Sequence, residues 1–171
     1  CDLYEKRFLP QAEKSKALGA KVIWLQKPGE RYQKMADTAL TDGLFGGTTF
    51  VESWVGWEGV DGSFILDLGE EKEFSSVEAD FLHQLGQWIL LPEKVTYSIS
   101  TDNQTYQPFG SFSFAEDRAP QVKFVGGKVT SDKPVKARYI QVEVDAIGMC
   151  PAWHYGVGHP AWFFVDEVTV L

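Results

Sequence analysis

The chain has 171 residues, of which 44% are apolar, so it can bury one sizeable core but hardly two. Its net charge of -8 disfavours nucleic acid or an anionic membrane as a partner and favours a neutral or weakly charged ligand. The length excludes a (β/α)₈ barrel, which typically takes about 250 residues, and no apolar run reaches the roughly 18 residues that a membrane span needs.

The N-terminal segment 1–18 is charged, is interrupted by Pro10, and is only weakly periodic at helical spacing. We expect a linker or a short helix there, and a single domain over residues 19–171. Cys1 suits lipid attachment after signal cleavage, but a cut made in a longer chain would leave the same residue, so both interpretations stay open.

From Gly19 onward, short segments alternate apolar and polar residues and are separated by turn residues, which is typical of half-buried strands. The clearest segments are 20–26, 63–68, 77–81, 95–99, 121–124, 137–144 and 163–170. No amphipathic helix of ten or more residues lies between them, so crossovers to parallel strands are disfavoured. The sequence predicts an all-β fold, an antiparallel sandwich or barrel of roughly eight strands. The apolar faces predict a core that contains Val77, Phe81, Val95, Tyr97, Ile99, Ile140, Val142 and Val144.

Three irregular segments, 41–61, 82–92 and 149–161, contain an unusual concentration of large rings. These rings are Trp54, Trp57, Trp88, Trp153, His154 and His159. Loops usually lie on the surface and bear the residues that bind ligands. We therefore expect function to reside in these loops and not in the strands.

Catalytic patterns are weak throughout the sequence. Asp166 and Glu167 are adjacent on a predicted strand and therefore point to opposite faces, which prevents them from flanking one bond. His154 and His159 lack the spacing of a zinc site. Cys150 has no local signature of an activated thiol, and we interpret it as a small buried hydrophobe.

The loop around Asp42 offers oxygen ligands, because Thr48 and Thr49 follow within a few residues. Calcium prefers such carboxylate, hydroxyl and carbonyl oxygens. An Asp-Gly turn, in which Asp42 accepts backbone hydrogen bonds, explains the same residues. Both interpretations stay open on local evidence.

Six sequence pieces occur in an order that resembles the discoidin or coagulation-factor type C (F5/8 type C) domain, which includes bacterial family 32 carbohydrate-binding modules. The pieces are Leu40-Thr-Asp-Gly43, Trp54-Val-Gly-Trp57, Ile65-Leu-Asp-Leu-Gly69, Val95 to Asp102, Ala137 to Val142 and Asp166-Glu-Val168. More narrowly, Phe81 to Pro92, Cys150 to His154 and Ala161 to Glu167 are similar to the C-terminal domain of Bacteroidetes family 20 hexosaminidases, or chitobiases.

The resemblance implies a galactose-binding-domain-like β-sandwich with jelly-roll topology and a structural calcium ion. Asp42 and Thr48, with Thr49 as a substitute, match its ligands, and Glu167 matches an acidic residue that often completes the site. It also implies that segment 1–18 leaves a preceding module, that the catalytic domain of a parent chain is a partner, and that the protein is periplasmic, extracellular or on the cell surface.

The expected function is that of a non-catalytic carbohydrate-binding module on a glycoside hydrolase, with a glycan as ligand. We expect the sugar site where Trp57, Trp88, Trp153, His154 and Tyr155 converge at one end of the sandwich. Trp88 is the expected platform, because Gly86 and Gln87 give its loop freedom to present the ring. One alternative is an accessory domain that packs on the catalytic domain and binds no sugar. Another is a small hydrolase that uses Asp166 and Glu167.

Overall fold

The computed structural model describes residues 14–33, 39–42 and 54–171. Seven strands lie in these residues, and every pairing between them is antiparallel. They are β1 (Lys21–Gln26), β2 (Val55–Glu58), β3 (Gly62–His83), β4 (Lys94–Ser100), β5 (Gln107–Ser113), β6 (Lys123–Asp145) and β7 (Trp162–Val170). Short 3-10 helices cover Glu30–Tyr32 and Leu85–Gln87. The predicted all-β antiparallel fold is confirmed.

Strands β3 and β6 are 22 and 23 residues long and pair along most of their length. Their register shifts between Asp67 and Lys72 and again between Phe74 and Ser76. The first half of β3 also pairs with β1, whereas its second half pairs with β7. Each long strand therefore bends and contributes to both layers of the sandwich. The sequence pattern predicted two separate strands within each of these long strands. At the bend of β3 the residues are mostly exposed, so the alternation of apolar and polar residues is interrupted there.

Tyr97 joins the two layers across the core. Its hydroxyl oxygen accepts a hydrogen bond from the Ala79 N–H (2.8 Å), and its O–H donates to the Gly127 carbonyl (2.6 Å). Ala79 and Gly127 pair with each other in the layer that faces β4. Burial raises the pKa of the Tyr97 hydroxyl, so the group remains a donor at all ordinary pH values.

The predicted core is confirmed for seven of the eight residues, which are at most 1% exposed. The eighth, Ile99, is partly buried and packs against the same cluster. Two strands were missed. Strand β2 lies within the segment predicted as loop 41–61, and β5 contains Pro108 and Gly110, which both disfavour strand.

Because β3 folds back on itself, its two ends, Gly62 and His83, lie at the same end of the sandwich. The loops after β3, β5 and β6 meet there, and this end is called the loop end below. At the N-terminus, Ser15 and Lys16 bond the backbone of Val170 on β7, whereas residues 1–13 of the predicted linker lie outside the described residues. No helix in the described part of the chain is long and apolar enough to span a membrane.

Candidate functional site

A cleft of about 310 Å³ opens at the loop end. Its walls come from residues 90–93 and 114–117 and from His83 at the end of β3, and the loop after β6 contributes Ile147, Met149, Pro151 and Trp153. The volume lies at the lower limit of small-molecule sites, which combine apolar walls with a few polar groups. Here Trp153 supplies the large ring, and Glu93, Glu116 and Asp117 supply carboxylates.

Trp153 is partly buried and is held in place by two neighbours. Its indole Nε1–H donates to Glu116 Oε1 (2.6 Å), and the Arg118 guanidinium lies 5.2 Å from the ring centroid. Arg118 also donates to the other oxygen of Glu116, through Nε and a terminal nitrogen, both at 3.1 Å. The hydrogen bonds from Trp153 and Arg118 lower the pKa of the Glu116 carboxyl, so this wall stays negatively charged.

His83 lines the cleft with a side chain that is 1% exposed. Its Nε2 lies 2.9 Å from the Ala119 carbonyl oxygen, which can only accept, so Nε2 bears the proton. Asp117 lies 3.9 Å away and is itself bonded to the Lys123 ammonium (2.8 Å). The bond from Lys123, followed by that from the Ala119 N–H, lowers the pKa of Asp117. These contacts fix the loop between β5 and β6 against the end of β3.

His154 is buried, and both of its ring nitrogens are used inside the protein. The Gly156 N–H donates to Nδ1 (3.0 Å), so Nε2 bears the proton and donates to the Leu85 carbonyl (2.9 Å). The prediction that His154 belongs to the sugar site is therefore wrong, because neither ring nitrogen is left to bond a sugar hydroxyl. Its role is to tie the loop after β6 to the loop after β3.

Tyr155 and Trp88 belong to an aromatic surface beside the cleft. Tyr155 is 68% exposed, stacks on His154 with a centroid distance of 4.4 Å, and donates its hydroxyl to the Gly86 carbonyl (2.7 Å). Trp88 has a φ of 61°. The centroid of its ring lies 6.1 Å from that of Tyr155 and 5.4 Å from that of His159. It also packs against a small cluster that includes Cys150, and it is not among the residues that line this cleft.

Trp57 does not join the other predicted sugar-site residues. It is 0% exposed and stacks on Phe163 with a centroid distance of 5.0 Å and an interplanar angle of 7°. Its indole N–H donates to the Gln26 carbonyl (3.0 Å). The prediction for Trp57 is wrong, because the segment forms strand β2 and turns this ring into the core.

The predicted calcium site lies partly outside the described residues, since Thr48 and Thr49 fall in the undescribed segment 43–53. Asp42 is exposed, and Glu167 is 1% exposed on β7. The Val168 N–H donates to the Leu40 carbonyl (2.9 Å), so the segment that bears Asp42 lies against the strand that bears Glu167. Within residues 14–33, 39–42 and 54–171, no three His, Cys, Asp or Glu side chains form a metal cluster. The oxygen donors fit calcium in kind, and the site stays a prediction.

The hydrolase alternative gains no support from the geometry. Asp166 and Glu167 are 0% and 1% exposed, and neither lines the cleft. Cys150 is buried as predicted, and burial raises the pKa of its thiol, which disfavours the nucleophilic thiolate.

The sequence analysis missed Glu93, Glu116, Asp117 and His83 as cleft residues. Only Phe114 and Ala115 separate the end of β5 from the charged run 116–118. Recognising β5 would have placed this run in a loop at the end of the sandwich. Nothing in the local sequence indicates that the loop turns toward Trp153.

The comparison with protein families decides the assignment, because the F5/8 type C domain model matches residues 25–162. The chain belongs to the F5/8 type C domain family. This confirms the resemblance on which the sandwich was expected. No curated protein sequence matches this F5/8 type C domain significantly.

Solved structures share the fold at low identity. A family 32 carbohydrate-binding module from a family 31 glycoside hydrolase of Clostridium perfringens is 17% identical, with a TM-score of 0.54 over 88% of this chain and 92% of that chain. A chitosan-binding module from a chitosanase/glucanase of Paenibacillus sp. IK-5 is 13% identical, with a TM-score of 0.55 over 92% and 98%. In SpGH29, at 17% identity and a TM-score of 0.54, 95% of this chain matches 29% of the larger protein.

The C-terminal domain of a chitobiase from Bacteroides fragilis is also among the matches, at 18% identity and a TM-score of 0.43 over 78% of this chain and 77% of that domain. The likenesses with TM-scores above 0.5 establish the fold and not the parent enzyme. The F5/8 type C domain described here thus shares its fold with a family 32 carbohydrate-binding module and with a chitosan-binding module.

Proposed function

We propose that this domain is a non-catalytic carbohydrate-binding module that holds a glycoside hydrolase on its glycan by binding sugar in the cleft at the loop end. The observation that carries the proposal is Trp153, a partly buried indole in the cleft wall that Glu116 and Arg118 hold in place. One face of a sugar ring is lined by C–H groups and its edges bear hydroxyls. An ordered ring beside carboxylate acceptors suits both features.

The similar structures support this proposal by their own names, because one is a chitosan-binding module and another is a carbohydrate-binding module of a glycoside hydrolase. By analogy with these modules, the catalytic domain of a parent chain is the proposed partner. A family 20 hexosaminidase remains the proposed parent enzyme. The proposed location is the periplasm, the cell surface or the outside of the cell.

The proposal is tested by titrating the chain against a glycan panel by calorimetry. Single modules bind weakly, so we expect a Kd on the order of 0.1 to 1 mM, or roughly 4 to 5.5 kcal/mol. Trp153→Ala should lower the affinity at least about 30-fold, since one aromatic anchor supplies much of such a small total. Trp153→Phe keeps a ring and should retain part of the binding.

Trp88→Ala is the control for the neighbouring aromatic surface and should leave the affinity within about twofold. If Trp153→Ala binds as the wild type does while Trp88→Ala does not, the sugar site lies on the aromatic surface and the cleft assignment is wrong. If the folded chain binds no glycan in a broad panel, the alternative of an accessory domain without a sugar site is correct.

We further propose that calcium, held by Asp42, Thr48 or Thr49, Glu167 and loop carbonyls, ties the start of the sandwich to β7. The support is the Val168 to Leu40 hydrogen bond, which brings the two ends of the proposed ligand set together. A ligand that binds only the folded state stabilises it by about 2.7 kcal/mol at a hundred times its Kd.

Adding calcium after chelation should therefore raise the Tm of the wild type and leave the Tm of Asp42→Asn almost unchanged. Magnesium serves as the matched control cation and should act weakly, because it tolerates irregular oxygen sites poorly. A wild-type Tm that responds to neither the chelator nor calcium would refute the site.

A further inference from the structure

The irregular segment 114–122 between β5 and β6 carries the two side chains that hold Trp153, although none of its described residues is buried. These two side chains, Glu116 and Arg118, are both exposed. A segment with few buried apolar contacts opens locally at low free-energy cost. The position of the Trp153 ring therefore depends on the hydrogen bonds that attach segment 114–122 to the sandwich.

The described contacts attach segment 114–122 at its start and again near its end. At the start, the Phe114 N–H donates to the Glu93 carbonyl (2.9 Å). Near the end, Asp117 accepts a hydrogen bond from Lys123 (2.8 Å), whose side chain is 42% exposed. Ion pairs at such exposed positions are screened by water and contribute little. A firm attachment of the end of the segment therefore needs another group.

That group is His83, the last residue of β3. Its side chain is 1% exposed, and Nε2 donates to the carbonyl of Ala119, which follows Arg118 in the sequence (2.9 Å). A hydrogen bond sheltered from water is stronger than an exposed one. His83 itself is fixed, because it lies in the ladder between β3 and β6. The bond therefore ties segment 114–122 to a paired strand, directly beside one of the two residues that hold Trp153.

A histidine at this buried position has a cost in stability. Because Nε2 bears the proton, Nδ1 is an acceptor, and it has no hydrogen-bond partner among the described residues. An unsatisfied buried acceptor costs free energy that an apolar side chain would not. Proteins accept such local costs mainly where function requires them. Within the described part of the chain, the ring makes one hydrogen bond, and that bond goes to the segment that holds Trp153.

We infer that His83 is a positioning residue of the carbohydrate site, whose buried ring holds segment 114–122 where Glu116 and Arg118 present the Trp153 ring. This inference rests on the proposed function and names a residue that sets the affinity of the same cleft. Without the bond, segment 114–122 would sample other positions, and the affinity would fall with the fraction of molecules that keep the binding geometry. One hydrogen bond of ordinary net strength changes such a population about fivefold.

The first test measures the Kd of the full 171-residue chain by calorimetry. The probe is whichever of the methyl glycosides of N-acetylglucosamine, N-acetylgalactosamine, galactose and fucose the wild type binds most tightly. His83→Leu removes the donor and should weaken binding about fivefold. His83→Gln should keep the Kd within about twofold of the wild type, because an amide N–H can still donate to the Ala119 carbonyl.

Val142→Ala is the matched control for stability, because Val142 is 0% exposed in the core and does not line the cleft. It should lose at least as much stability in urea as His83→Leu does and should keep the wild-type Kd. A Kd that is the same in His83→Leu and in the wild type would overturn the inference. A loss in His83→Gln as large as that in His83→Leu would also overturn it, because the effect would then not depend on the hydrogen bond.

The Trp153 indole N–H signal of the ¹⁵N-labelled chain reports the same link by NMR without any glycan. Its hydrogen bond to Glu116 (2.6 Å) affects its chemical shift, so His83→Leu should shift or broaden the signal, whereas His83→Gln should not. Glu116→Ala breaks the link directly, so adding His83→Leu to it should leave the signal where Glu116→Ala puts it. An unchanged signal in His83→Leu, or a further shift in the double variant, would overturn the inference.

The two readouts separate failure of this inference from failure of the proposed function. If the wild type binds a glycan and His83→Leu binds it equally well, the inference fails and the carbohydrate-binding cleft stands. If the wild type binds no glycan in a broad panel while His83→Leu displaces the Trp153 signal, the proposed function fails and only the link from His83 to Trp153 stands.

Discussion

Two aromatic clusters with similar composition occupy opposite environments in this domain. In the interior stack, Trp57 lies between Phe163 and Phe64, with ring planes within 15° of parallel. In the loop-end cluster, Trp153 and Tyr155 contact the buried His154, one edge to face and one stacked, and Trp88 meets Tyr155 edge to face. Trp153, Tyr155 and Trp88 keep part of their surface exposed. The interior rings are supported by strands, whereas the loop-end rings are supported by hydrogen bonds to loop backbone and to Glu116.

The difference shows that a tryptophan in an apparent loop has no fixed role until its supporting elements are known. Trp57 stabilises the sandwich because β2 pairs with β7 and turns the ring inward. Trp153 remains at the surface because a carboxylate and a guanidinium hold it there. Matched substitutions in the two regions should therefore separate stability from binding.

The largest effect is expected for the two tryptophans. Trp57→Ala should lower the free energy of unfolding by about 3 to 5 kcal/mol, because it removes a fully buried ring and leaves a cavity. Trp153→Ala should cost about 1 kcal/mol while it abolishes sugar binding. Urea unfolding of both variants measures these changes. Equal losses in the free energy of unfolding would contradict the different roles assigned to the two clusters.

The two tyrosines provide the next comparison. Tyr97→Phe leaves the Ala79 N–H and the Gly127 carbonyl unpaired in the core. Because each such group costs about 1 to 3 kcal/mol, we expect a loss of about 2 to 4 kcal/mol. Tyr155→Phe removes an exposed hydroxyl and should change stability by less than about 0.5 kcal/mol. A small effect of Tyr97→Phe would mean that the two layers do not depend on this link.

The two valines test packing alone. Val142 is 0% exposed on β6, and its truncation to Ala should cost about 1 to 3 kcal/mol through lost burial and a residual cavity. Val157 is 52% exposed at the loop end, so Val157→Ala should cost less than about 0.5 kcal/mol. An unchanged unfolding midpoint for Val142→Ala would show that the faces of β6 are assigned in reverse.

The smallest effect concerns two carboxylates whose pKa values are lowered in the folded protein. Asp67 accepts two hydrogen bonds from the Arg138 guanidinium, at 2.9 and 3.1 Å. These hydrogen bonds are the largest cause that lowers the pKa of the Asp67 carboxyl. Asp67→Asn should lower the free energy of unfolding by about 1 kcal/mol. Asp117→Asn should lower it by about 0.5 kcal/mol, because the lysine partner of Asp117 is exposed.

Both costs depend on pH with a known sign. A lowered pKa means that folding favours the ionised carboxylate, so the stabilisation is present above the unfolded pKa of about 3.9 and is lost as pH falls through the folded value. Unfolding curves of the wild type and the two variants should therefore converge below about pH 4. Differences that grow on acidification would contradict the ion-pair explanation.

Much of the fold was predictable because alternation of apolar and polar residues reports burial directly. Val95 and Tyr97 share a face in the sequence and lie together in the core. The bends of β3 and β6 were not predictable, because exposed residues such as Glu70 and Glu71 interrupt the pattern although the ladder continues nearby. Strand pairing is a nonlocal property that short-range alternation does not record.

The candidate site was predictable only in its location. Four of the five predicted sugar-site residues, all except Trp57, lie together at the loop end. The location was predictable because large rings in loop segments indicate a surface. The roles were not predictable from residue type. The hydrogen bonds of His154 to Leu85 and Gly156 depend on how two loops approach each other, and so does the contact between Trp153 and Glu116.

The most direct test follows the indole N–H signals of the ¹⁵N-labelled chain by NMR during titration with the panel glycans at millimolar concentration. The chain has six tryptophans, so Trp57 and Trp88 serve as internal references for Trp153. We predict that the Trp153 signal shifts in a saturable manner, because sugar packs on this ring and alters its bond to Glu116, while the Trp57 signal stays fixed. Saturable shifts of Trp88 with a static Trp153, or no shift of any indole with any glycan, would contradict carbohydrate binding in the cleft.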